Sequence, residues 1–401
     1  MLEAGRVGWQ ASGRNGGFCM ASLTHGAGNG YRKFPREHRR LEELGMENLA
    51  GIEETCSRYG IDCAWERTGE LQLAVAPWQV RALADDRDDL ERAGREYAYF
   101  DREAIRAEVH APMALAGLWE IDGCAMVDPA RLAWGVARAC RELGVRIYEG
   151  TPVTGLSRAG AGVRLTTVAG SMAARTVALA TNAFRPLIRR ARFLMIPVYD
   201  YALVTEPLTG DRRAALGWAR RQGLYDGCNH FHYFRLTADD RILWGGYDAV
   251  YHYGSAVRPE YGARPGTFAK LSRHFFTLFP QLEGVRFTHG WGGAIDTSTR
   301  FCPHFGTALG GRAAYALGFT GSGVGSSRFA GRVLLDLLSG ERTDLTELEY
   351  VRSVPAPWPP EPLRWGVVGL TQRSMARADR HGGARDAWLR TLDRLRLGFD
   401  S

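Results

Sequence analysis

Lysine is almost missing from this sequence. Of its 51 basic residues only Lys33 and Lys270 are lysines, and the rest are arginine. With alanine and glycine abundant, this reads as base composition of the coding DNA, not as selection for a nucleic-acid surface. The formal charge of +7 is scattered, and arginines stand beside acids, as in "RALADDRDDLERAGRE". That pattern describes a solvated face and excludes nucleic acid as an expected partner. Long apolar runs are also lacking, so no segment reaches the roughly 18 residues of a membrane span. Charge at Glu3 and Arg6 comes too early for a signal peptide, which makes a cytoplasmic protein the expectation. The seven cysteines, Cys19, Cys56, Cys63, Cys124, Cys140, Cys228 and Cys302, contain no C-x-x-C pair and no ligand spacing. They are expected to be reduced thiols, mostly packed as small hydrophobes. His25, His110 and His304 stand apart, and no metal site is expected.

One further lack concerns a motif. The opening "LEAGRVGWQASGRNGG" reads like the second strand of a βαβ unit, closing on an acid, Glu3, that would grip a ribose hydroxyl. In such a unit a G-x-G-x-x-G turn lies about 20 residues before the acid. Here none stands upstream.

What is present is ordinary globular material: 401 residues, 45% hydrophobic, enough for two intertwined domains. "PREHRRLEELGMENLAGIEETCSRYG" has Leu41, Leu44, Leu49 and Ile52 at helical spacing and stops at Gly60. "GELQLAVAP" alternates like a strand, and "WQVRALADDRDDLERAG" follows as a helix. Asp128 and Pro129 form a helix start, with Leu132, Val136 and Cys140 on one face and Gly144 at the end. "VRIYEGTPVTGLSR", "GVRLTTVAG" and "ARTVALAT" read as strands, the last a buried parallel one. Residues 193 to 300 are aromatic and strand-like, which predicts an antiparallel sheet forming the wall of a substrate cavity. The tail beyond Pro359, basic and amphipathic, reads as a helix docked on the protein.

Two glycine loops carry the chemistry. In "AYALGFTGSGVGSSRFAGRVLLDLLSG" a strand runs into Gly318, Gly321, Gly323 and Gly325, and a helix begins near Ser326. Strand, glycine turn and helix aim free amides and a positive dipole end at an electron-rich ligand. In "GWQASGRNGG", Ser12 and the pair Gly16 and Gly17 let backbone pass close to a flat or anionic group, beside Arg14 and Asn15.

These segments, with "VDPARLAWGVARACRELGVRIYEGTPV", "ALATNAF", "IPVYDYALVTEPL", "YFRLTADDRILWGG" and "GWGGAIDTSTRFCPHFG", occur in an order that resembles the D-amino-acid-oxidase (DAO) superfamily of FAD-dependent oxidoreductases, in particular its glutamylputrescine-oxidoreductase-like branch. The resemblance implies FAD as cofactor and an α/β (α+β overall) fold. That fold joins a Rossmann-like FAD/NAD(P)-binding domain, N-terminally truncated, to an antiparallel-sheet substrate domain. The FAD domain would comprise 1–65, 126–192 and 300–342, the substrate domain 66–125 and 193–299, and the tail 343–401. Residues 1–4 and 315–318 would share one sheet. Glu3 would bind the ribose, Ser12 would lie near the pyrophosphate, and Arg14, Asn15, Gly16 and Gly17 would follow the ribityl chain and flavin. Val153 would contact adenine, Ala180 and Thr181 would line the nucleotide cleft, and Gly321, Ser322, Gly323 and Val324 would hold the flavin's pyrimidine end. Ser322 departs from the histidine that relatives often place between those glycines.

The implied reaction oxidises a C–N bond of an amine or amino acid by hydride transfer to flavin N5, with oxygen or another acceptor taking the electrons. Tyr199, Tyr201, His230, Trp244, Trp291 and Arg328 are the expected substrate contacts. Arg235, Arg300 and Arg328 are candidates for a carboxylate fork. Cys302 is expected to be a packed thiol and not a covalent flavin link. The family's strand and G-x-G-x-x-G turn, about 30 residues ahead of the acid, are expected to be missing because the start is called too late or the chain is cut. The alternative is a non-catalytic remnant that holds no flavin as written.

Overall fold

The structure, a computed structural model, describes residues 1–397. Its helices begin where side-chain chemistry allows. The Asp128 carboxylate accepts from the amides of Ala130 and Arg131, both at 3.0 Å, and helix Pro129–Glu142 follows. Helix His38–Arg58 buries Leu41, Leu44, Leu49 and Ile52, as their spacing predicts. The glycine-turn helix runs Gly323–Ser339, a turn earlier than Ser326, and ends on left-handed Gly340.

Eight strands form the largest sheet, in the order Phe287–Thr297, Ile196–Thr205, Ile242–Gly246, His232–Leu236, Gly223–Asp226, Glu70–Ala74, Ala116–Glu120 and Tyr97–Phe100. Neighbours are antiparallel throughout except Gly223–Asp226 and Glu70–Ala74, which run parallel. Helix Pro265–Leu278 lays Leu271 and Phe275 against this sheet, closing a core with Trp218, Phe234, Trp244 and Phe279.

A smaller sheet holds Val177–Leu179, Ala313–Leu317 and His304–Ala308, the first pair parallel. Residues 1–4 do not join it. Leu2 bridges only Tyr148, in parallel, so the expected single sheet is in two pieces. Among the described residues no strand pairs with the outer edge of Val177–Leu179. Met1, Glu3, Val145 and Ile147 on one piece and Ala180 beside the other line a common cavity. Of "VRIYEGTPVTGLSR" only Val153–Ala159 is a strand, the first of a three-stranded meander. Of the apolar helix face Leu132, Val136 and Cys140, Leu132 packs against the core of Cys19, Leu49 and Ile52, yet all three line the same cavity, and Val136 is 40% exposed.

Beyond Pro359 the chain forms helices Leu363–Arg380 and Ala387–Arg394, which pack through Met375, Ala378, Leu389 and Leu392. The Trp388 indole donates to Thr371 Oγ1 at 2.9 Å. Among the described residues no helix is long and apolar enough to cross a membrane.

Candidate functional site

A cavity of 1380 Å³ opens against the eight-stranded sheet, larger than the ~300–1,000 Å³ of an ordinary small-molecule pocket. Both glycine loops line it, although they lie far apart in sequence. The first is held by its own polar groups. Asn15 Nδ2 donates to the Ala11 carbonyl at 2.8 Å, and Asn15 Oδ1 accepts from the Gly17 amide at 2.9 Å. Arg235 Nε donates to the Gly16 carbonyl at 2.6 Å, and the Trp291 indole to the Arg14 carbonyl at 2.8 Å. A Cβ on Gly16 would stand 2.5 Å from the Tyr233 ring, so only glycine fits there. Glu3 Oε1 accepts from the Gly5 amide at 2.8 Å, which fixes its carboxylate at the cavity edge.

The second loop is anchored by an acid. Asp296, at the end of strand Phe287–Thr297, accepts from the amides of Gly318 at 2.6 Å and Phe319 at 3.2 Å. Burial pushes its carboxyl up to about 7 in spite of those bonds. Gly321, at φ +91°, has open space where a Cβ would be, and helix Gly323–Ser339 starts beside it. Gly325 meets strand Phe18–Met20 so closely that a Cβ would lie 1.9 Å from the Met20 carbonyl. This contact draws the two loops onto one cavity.

Of the residues expected to touch cofactor, Glu3, Ser12, Arg14, Asn15, Gly16, Ala180, Gly321, Gly323 and Val324 line the cavity. Gly17, Val153, Thr181 and Ser322 do not. Gly17 is packed under Val127 and Arg235, Val153 lies in the meander, and Ser322 is buried beneath His25. Of the expected substrate contacts, Tyr199, Tyr201, His230, Trp291 and Arg328 line it. Trp244 is a correction: it is 1% exposed in the core, stacked on His232 at 4.8 Å. Two of the three candidate fork arginines are also engaged elsewhere. Arg235 holds Gly16, and Arg300 binds the Ser353 side chain at 2.7 Å and the Tyr350 carbonyl at 3.1 Å. Cys302 is buried, and burial raises its thiol pKa. No group of metal-ligating side chains occurs among the described residues.

Sequence reasoning missed Asp296, whose only signal is an acid closing an apolar strand in "GGAID", and the wall of acids below. Glu70, Asp86 and Glu120 line the cavity, and burial raises their carboxyls to about 8, 6 and 7. Arg95 lies against Glu120 at 3.4 Å but is bonded more closely to Glu42, at 2.8 Å.

Two glycine turns on one large cavity, one opening a helix and the other beside a fixed acid, are the geometry of a dinucleotide-binding fold. The model of the FAD dependent oxidoreductase (DAO) family matches residues 1–337, and the chain belongs to that family. Its cofactor is FAD. The chain is 32% identical over 354 residues to gamma-glutamylputrescine oxidoreductase of Escherichia coli, covering 85% of this chain and 78% of that protein. To the probable oxidoreductase OrdL of Haemophilus influenzae it is 26% identical over 366 residues, with 88% and 80% covered. Among solved structures, glycine oxidase from Geobacillus kaustophilus matches with a TM-score of 0.72 at 20% identity, over 88% of this chain and 91% of that one. L-proline dehydrogenase from P. horikoshii matches with a TM-score of 0.70 at 19% identity, over 87% and 88%.

Proposed function

We propose that this chain oxidises a C–N bond of an amine, with FAD held between its two glycine loops. The observation that carries the reading is their convergence on one cavity. The residues fit the group: Gly321, where a Cβ would enter open space on the cavity wall, an acid at one edge and a helix N-terminus at the other. Gly321, Gly323 and Val324 would hold the flavin end, Arg14, Asn15 and Gly16 its ribityl side, and Glu3 the ribose. FAD supplies the acceptor for the hydride leaving the substrate carbon.

The protein's own groups do the rest. Tyr199, Tyr201, Tyr233, Tyr247 and Trp291 form an aromatic wall that desolvates an ammonium and so favours the neutral amine that can be oxidised. Glu70, Asp86 and Glu120 supply a second, acidic wall. An ammonium placed there offsets the burial that raises their pKa values. Arg235 is held by the Gly16 carbonyl and Arg300 by Ser353 and Tyr350, which leaves Arg328 of the three candidate forks on the cavity wall, so the three acids favour a substrate with a second cationic nitrogen. The test is anaerobic bleaching of FAD-loaded protein by a panel of monoamines, diamines and amino acids. Diamines are expected to bleach at the lowest concentration, and Glu70→Gln should raise their KM at least about tenfold, the worth of one charge-assisted bond, with little change for monoamines. Bleaching by carboxylate-bearing amino acids alone would overturn the diamine reading; no bleaching by any member would overturn the amine oxidation itself.

A further inference from the structure

His25 stands apart from the other histidines in sequence, yet its surroundings are built to hold it. It is a non-glycine residue in the left-handed region, at φ 61°. Such a conformation persists only where neighbours determine it, and it concentrates at functional sites. Here the neighbours are explicit. Ser22 Oγ accepts from the amides of Thr24 and Gly26 at 3.3 and 2.9 Å, and Thr24 Oγ1 donates to the Gly26 carbonyl at 3.1 Å. Asn29 Nδ2 donates to the Thr24 carbonyl at 2.5 Å. The loop so fixed brings His25 to the wall of the main cavity. Its Nδ1 lies 2.9 Å from Ser322 Oγ. Ser322 is 3% exposed and immediately precedes the 17-residue helix Gly323–Ser339. The histidine ring is therefore fastened to the point where the second glycine loop becomes a helix.

We propose that His25 is a flavin contact: fixed by Ser322, its imidazole hydrogen-bonds the isoalloxazine end of FAD and, with the amides of the adjoining helix, favours the reduced, negatively charged ring. The inference rests on the assignment of the flavin end to Gly321, Gly323 and Val324. Burial lowers the imidazole's pKa to about 4, so the group is neutral at working pH. A neutral donor beside a helix N-terminus stabilises developing negative charge without carrying a charge of its own. The contact also gives Ser322 a purpose that its position between two glycines leaves unexplained.

The experiment measures the FAD dissociation constant and the reduction potential of bound flavin in the full chain and in His25→Leu, His25→Asn and Ser322→Ala. His25→Leu should weaken FAD at least about tenfold and lower the preference for reduced over oxidised flavin about tenfold, the worth of one hydrogen bond. His25→Asn, which tolerates the left-handed backbone and can still donate, should recover most of both. A merely structural histidine would leave the potential unmoved. A folded His25→Leu with unchanged affinity and potential overturns the proposal. Should that variant not fold, Ser322→Ala removes only the anchor and should shift both quantities the same way by less; no shift there overturns the proposal too. A wild-type chain that binds no FAD overturns the flavin assignment itself, an outcome distinct from wild-type binding that His25 does not affect.

Discussion

Arg235 and His304 show what individual side chains contribute. Arg235 is 6% exposed, and its one strong contact with the glycine loop is the 2.6 Å bond to the Gly16 carbonyl. Burial lowers its pKa to about 10, which still leaves it charged near neutrality. Arg235→Leu should cost about 3 kcal/mol, because it removes a charge-assisted bond and leaves that carbonyl without its donor. Urea unfolding measures this, and FAD affinity should fall with it. His304 is 2% exposed, and burial lowers its pKa to about 4 from the usual 6.5. The unfolded chain takes up a proton near the usual value, whereas the folded chain waits until about 4. The stability His304 contributes is therefore complete above the unfolded pKa and is lost as pH falls toward the folded one. Between about pH 7 and about pH 5 this loss is on the order of 2 kcal/mol. Buried Glu70, raised to about 8, acts in the opposite sense, so the check is the wild type compared with His304→Asn. The variant should lose less stability on acidification by that amount. At this scale residue type was readable in the sequence and role was not. Trp244 and Arg235 look like site residues, and only packing assigns one to the core and the other to a backbone carbonyl.

Elements were read best where local chemistry decides them. Asp128 and Pro129 fix the start of Pro129–Glu142 without help from tertiary structure, and Asp128→Ala should cost about 1 kcal/mol by loss of the cap. Helix His38–Arg58 and strand Glu70–Ala74 follow from periodicity alone. Pairing partners were not legible. Residues 1–4 and 315–318 were expected in one sheet, but Leu2 bridges Tyr148 and Ala313–Leu317 pairs elsewhere, because pairing depends on what lies between them in space. Likewise, helical spacing revealed that Leu132, Val136 and Cys140 share a face, and could not tell whether that face meets protein or cavity. The contact between elements that matters most is Gly325 against Met20. Gly325→Ala forces helix Gly323–Ser339 away from strand Phe18–Met20 and parts the loops. It should destabilise the fold by roughly 1–3 kcal/mol, as overpacking does, and weaken FAD more than a substitution at exposed Gly331, where a Cβ meets nothing within 4 Å.

For the whole molecule, the order of motifs carried more information than any one of them. Neither glycine loop identifies a flavin site alone, yet the family match spans residues 1–337 and the loops open on one cavity. The acids at Glu70 and Glu120 sit on the far strands of the eight-stranded sheet, so the same cavity joins cofactor loops to a wall of different chemistry. Composition could not show this, because acids scattered through the sequence meet only in the fold. The most direct test is titration of the purified chain with FAD, followed by the visible spectrum and flavin fluorescence. Saturable binding of one FAD per chain is expected, weakened at least about tenfold by Gly16→Val, whose side chain would collide with the Tyr233 ring. No saturable binding, or binding that Gly16→Val leaves unchanged, would contradict a flavin held between the two loops.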